Sequence, residues 1–128
     1  GPGANGITQV AYCWSPVAGY SAMGSYVGNG SSDGPMITTM FRPRWILLKD
    51  STNAGNWELI DTARIGYNGA NYRLFPNLSD SETADNRVDI LSNGFKLRVG
   101  AGSAINSSNA VTLYAAFAES PFAYSRAR

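Results

Sequence analysis

The chain has 128 residues, enough for one domain that buries a core without staples. Only 15% of its residues are charged and the net charge is +1, which excludes a field that would draw nucleic acid or an anionic membrane surface. No histidine is present and Cys13 is the single cysteine, so the commonest general base, the commonest transition-metal ligand and any internal disulfide are missing.

Gly1-Pro2-Gly3 looks like the scar of a cleaved expression tag. Residues 1–3 are therefore set apart and residues 4–128 read as a single β-sandwich domain, cut from the C-terminal end of something longer. The first predicted strand is Gln9 to Trp14, stopped by Ser15-Pro16. Cys13 sits inside it between Tyr12 and Trp14 and reads as a small buried hydrophobe. Gly19 to Val27 reads as a strand with bulges, and Gly28 to Gly34 as a loop. Met36 to Phe41 is β-rich and ends before Pro43.

Arg44 to Lys49 is a clear strand. Trp45 and Leu47 fall on one face and Ile46 and Leu48 on the other, and both pairs call for burial. Asp50 to Asn56 is a turn, and Trp57 to Asp61 completes a hairpin. Thr62 to Asn71 is a loop with candidate positive-φ positions at Gly66, Asn68 and Gly69. Tyr72 to Phe75 is a short strand, and Asn77 to Arg87 is polar with no β signal.

Val88 to Leu91 and Gly94 to Val99 flank Ser92-Asn93, and the Asn-Gly step is a strong hairpin signal. Gly100 to Asn109 is a loop. Val111 to Phe122 is the organising stretch, apolar or small on both faces of its strand, which predicts cover on both sides. Eight or nine short strands with turn chemistry between them predict an all-β fold: an antiparallel, jelly-roll-like β-sandwich.

Several stretches carry a family resemblance: F-R-P-R-W-I-L-L-K at Phe41 to Lys49, W-E-L-I-D-T-A-R at Trp57 to Arg64, and L-F-P-N at Leu74 to Asn77. L-S-N-G-F-K-L-R at Leu91 to Arg98 and Y-A-A-F-A-E-S-P-F at Tyr114 to Phe122 follow in order. Together they resemble a small domain at the C-terminal end of tailed-bacteriophage virion proteins, often of tail-fibre or tail-tip type. The resemblance implies a place on the virion, action outside the host cell, contact with other virion proteins and a homotrimer. The small residues Ala116 and Ala118 are compatible with a close-packed interface between subunits.

The expected function is attachment to a host-surface receptor, a glycan in particular, with a purely structural trimerisation or decoration module as the alternative. Sugars stack on flat aromatic rings while amides take their hydroxyls. Tyr20, Tyr26, Trp57, Tyr67 and Tyr72, with Asn68 and Asn71, are the candidate ligand-binding residues. Trp14 and Trp57 also fit a core role. Asp80, Glu82 and Asp85 form a weak candidate calcium set, since hard oxygen donors suit that ion although the spacing is not that of an EF-hand. No other cofactor is expected.

Asp61 and Arg64 are read as a structural clamp. No enzyme is expected: no nucleophile–histidine pairing and no G-x-S-x-G turn is present. Asp50, Glu58, Asp61 and Asp89 are the carboxylates from which a glycosidase pair would have to come.

Overall fold

A computed structural model describes residues 6, 8, 10–64 and 68–121. Nine strands carry the fold: β1 Ser21–Val27, β2 Met36–Thr38, β3 Pro43–Asp50, β4 Glu58–Asp61, β5 Asn71–Leu74, β6 Thr83–Asp85, β7 Val88–Leu91, β8 Gly94–Leu97 and β9 Val111–Ala118. They form two antiparallel sheets, a large one in the order β1-β9-β3-β4-β5-β6 and a small one in the order β2-β8-β7. The fold is the all-β sandwich that the strand spacing predicts.

Strand β9 is central, paired with β1 on one side and β3 on the other. Its inner face (Thr112, Tyr114, Ala116) meets the small sheet, and Phe95 of β8 packs edge-on against Tyr114 and Tyr26. Ile46, Leu48, Ile60, Val88, Phe95 and Leu97 fill the space between the sheets and are sealed from solvent. Alternation along β3 explains this directly, since Ile46 and Leu48 share one face of the pleat.

The β7–β8 hairpin forms with Ser92 and Asn93 as its turn. Gly94 is required for closeness: a Cβ there would stand 2.0 Å from the Ile37 carbonyl oxygen of β2.

Polar ties lock the sheets at two places. Arg87 Nε and Nη2 donate to Glu58 Oε2 (3.1 Å) and Oε1 (2.6 Å), and both side chains are buried. Arg73 Nη1 donates to the same Glu58 Oε1 from the neighbouring strand (3.2 Å). Asn106 is fully buried and its amide donates to the carbonyls of Ser31 and Val99, holding the glycine-rich loop at 28–34 against the sandwich.

Four sequence expectations need correction. Residues 10–14 belong to no strand; they form an arm beside the large sheet, and Gln9 lies outside the described residues. Cys13 is exposed on that arm, because the arm has no second layer above it. Asn77 to Arg87 contains β6, a three-residue edge strand whose pairing with β5 supplies what its polar sequence does not advertise. Ala116 is fully buried inside the sandwich, so the small-residue face contacts the chain's own core and not another subunit.

Candidate functional site

Among the described residues, no protein layer lies over most of the second face of the large sheet. Register places Val111, Leu113 and Phe117 of β9 on this outer face, beside Val27 of β1 and Trp45 and Leu47 of β3. Leu59 of β4 and Leu74 of β5 sit directly opposite one another on the same face. Strands β3 and β9 are largely apolar on both sides of the pleat, so one side remains apolar after the core has closed.

The arm covers part of this face. Val10, Tyr12 and Trp14, at every second position, line one wall of a groove; Trp45, Leu47 and Trp57 line the sheet side. Leu59, Pro76 and Asn77 complete a cavity of about 570 Å³. Phe117 anchors the assembly, with Trp14, Tyr20 and Trp45 rings packed edge-on at 6.3, 5.8 and 5.4 Å. Tyr12 and Trp14 stack at 6.5 Å. These residues remain open to solvent: Tyr12 is 79% exposed, Trp14 51% and Trp57 41%.

The Asn77 amide at the groove is already engaged. Asn77 Oδ1 accepts the Trp57 backbone N–H (2.9 Å), and Asn77 Nδ2 donates to Asn56 Oδ1 (3.0 Å).

The predicted ligand residues scatter. Trp57, Tyr20 and Tyr72 lie on the outer side of the large sheet, and of these Trp57 lines the groove. Tyr26 is in the core, 9% exposed, and its hydroxyl donates to the Ile105 carbonyl (2.7 Å); burial raises its pKa, so it stays a neutral donor. Asn71 is also interior, its Oδ1 accepting the backbone N–H groups of Arg87 and Val88. Neither side chain is placed where a ligand outside the domain would reach it. Asn68 pairs with both backbone groups of Ile90, donating to its carbonyl and accepting its N–H. Tyr67 and Gly66 lie outside the described residues.

The sequence reading missed Tyr12, Trp45 and Leu47 as members of the exposed face. For Trp45 and Leu47 the signal was present in the double-sided apolar pattern of Arg44 to Lys49.

Two of the three candidate calcium ligands are engaged in separate ion pairs. Glu82 Oε2 pairs with Arg64 Nη1 (2.6 Å), and Asp85 with Arg73 (3.2 Å), while Asp80 is exposed. Among the described residues no group of three or more His, Cys, Asp or Glu stands together as a metal-holding set. Arg64 also pairs with Asp61 (2.8 Å) and donates to the Tyr72 carbonyl (2.9 Å), so the Asp61–Arg64 clamp ties its turn to β5. Asp89 pairs with Arg98 (3.2 Å). Asp50 accepts the backbone N–H groups of Thr52 and Asn53 and the Asn53 amide. Among the described residues no helix is long and apolar enough to cross a membrane.

The described residues thus form a nine-stranded antiparallel sandwich whose large sheet leaves an aromatic face partly open. The chain belongs to the family described as a domain of unknown function, DUF7483, which matches residues 2–121. No curated protein and no solved structure matches it.

Proposed function

We propose that this domain is a non-catalytic assembly module of a tailed-phage virion protein of tail-fibre or tail-tip type. The observation that carries the reading is the outer face of the large sheet, where Trp14, Trp45, Trp57, Leu113 and Val111 form an apolar surface wider than an isolated domain needs. Placement on the virion draws its support from the motifs at Phe41 to Lys49, Leu91 to Arg98 and Tyr114 to Phe122. Aromatic side chains dominate contact energetics between proteins, and an uncharged face meets an apolar partner without stranding a buried charge. Electron microscopy of purified phage with an antibody raised to the domain is the test. Label at the tail or fibre is expected; intact particles that carry no label overturn the reading.

A second reading, attachment to a host glycan, is favoured by the stacked Tyr12–Trp14 pair beside Trp57 over a cavity wide enough for a sugar ring. The engaged amides of Asn56 and Asn77 argue for the first, because each buried sugar hydroxyl left without a partner costs about 1–3 kcal/mol. Binding of the purified domain to a glycan array, lost on Trp57→Ala, would place the sugar reading first. No binding by folded protein removes it.

A further inference from the structure

The assembly reading leaves the partner open, and the outer face itself says what fits. We infer that a second copy of this chain covers the outer face of the large sheet, the two large sheets packing face to face about a two-fold axis. The inference rests on the assembly reading and specifies its nearest partner.

Three observations carry it. The first is area. The arm is open at Val10 (76%) and Tyr12, and the β1–β9 flank at Val27 (56%) and Leu113 (49%). With aromatic side chains offering roughly 150–250 Å² each, these positions together with Trp14, Trp57 and Val111 leave roughly 800 Å² exposed, the share that one partner brings to a standard interface.

The second is charge. Among the described outer-face positions of β1, β3, β4 and β9, the charged residues are Lys49, which register sets opposite Leu113 and whose Nζ donates to the Asp50 carbonyl (2.7 Å), and Asp61, which is already paired with Arg64. A patch with so little charge is close to complementary to itself, Lys49 being the one charge that a two-fold axis must keep apart from its own image. The third is shape. The patch is one sheet face with a single arm beside it, and one patch meeting its own image closes after two copies. Aligned sheets pack about 10 Å apart with interdigitated side chains, and among the described residues nothing fills that role over Leu113 and Val27.

All three tryptophans of the chain (Trp14, Trp45 and Trp57) belong to this face, so their fluorescence reports on it directly. The experiment combines sedimentation velocity with tryptophan emission on dilution, for the wild-type chain and for Leu113→Glu and Trp57→Glu. Trp57 precedes β4, so its variant spares the ladder should Leu113→Glu disturb β9. Folding of each variant is checked by far-UV circular dichroism.

The wild type is expected as a dimer whose emission shifts to the red as it dissociates, and each folded variant as a monomer. A wild type that stays monomeric at about 100 μM, above the micromolar to picomolar range of interfaces this size, overturns the inference. A dimer that persists in the folded variants overturns it as well, since the contact then lies elsewhere. Labelled virions with a monomeric domain would leave the assembly reading intact with another occupant; a dimer absent from virions would do the reverse.

Discussion

On the inner face of β3, Ile46 and Leu48 are sealed beneath the small sheet; on the outer face of the same strand, Trp45 and Leu47 line an open groove. The same contrast runs along β9, where Ala116 is fully buried and Leu113, three residues away, stands half in water. Residue type does not separate the two faces, because both are apolar. What separates them is whether the chain supplies a second layer. Three strands, β2, β8 and β7, cover the inner face of a six-stranded sheet, and among the described residues a short arm is all that lies beside the other. An apolar residue thus stabilises the isolated fold only where the topology provides something to pack against.

Substitutions on the two faces break this comparison apart. The largest loss is expected for Phe95→Ala, which empties the centre of the core and removes edge contacts to Tyr26 and Tyr114. A cost of about 3–5 kcal/mol follows, measured by urea unfolding. Glu58→Leu comes next, at about 3 kcal/mol, because it leaves the buried Arg87 guanidinium without its carboxylate. The double variant Glu58→Leu/Arg87→Met should recover most of that loss, and a double variant no better than the single one would assign the effect to packing.

Asp50 gives a smaller, pH-dependent effect. Burial pushes its carboxyl up, but hydrogen bonds from Asn53 and Thr52 outweigh it and hold the folded group below its ordinary value. A group lowered on folding adds stability above its unfolded pKa of about 3.9 and loses it as pH falls through the folded value. Asp50→Asn should therefore melt below the wild type at neutral pH, with the gap closing under about pH 4. The smallest effect belongs to the outer face: Trp57→Ser should change the stability of the isolated domain by no more than about 0.5 kcal/mol. A loss as large as that of Phe95→Ala would erase the distinction between the faces.

Much of the fold is legible in the chain. The alternation in Arg44 to Lys49 and Val111 to Ala118, and the Asn93-Gly94 step, locate β3, β9 and the β7–β8 hairpin to within a residue or two. Thr83–Asp85 is not legible, since its pairing comes from β5 and not from its own polar side chains. The candidate site was half visible. Double-sided apolarity marks strands that want cover on both sides, but sequence alone cannot say which side receives it. Tyr26 and Asn71 read as loop ligands because glycine-rich neighbours suggest exposure; the fold turns each inward to satisfy backbone groups that would otherwise be buried without partners. Trp57 went the other way, open at the mouth of the groove.

The central position of β9 also has a consequence for how the chain comes to be folded. Strand β1 has β9 as its neighbour in the sheet, with Ser21 opposite Phe117, and β3 is flanked by β9 on one side. Translation makes β9 after every other strand. Until it emerges, β1 has no ladder to join and β3 presents a bare, hydrophobic edge. The early hairpins β3–β4 and β7–β8 can close locally, but the long-range pairing that completes the large sheet must wait, as it does in slow-folding β-proteins of high contact order. The nascent chain is therefore most prone to sticking to its neighbours in the interval just before its last strand arrives.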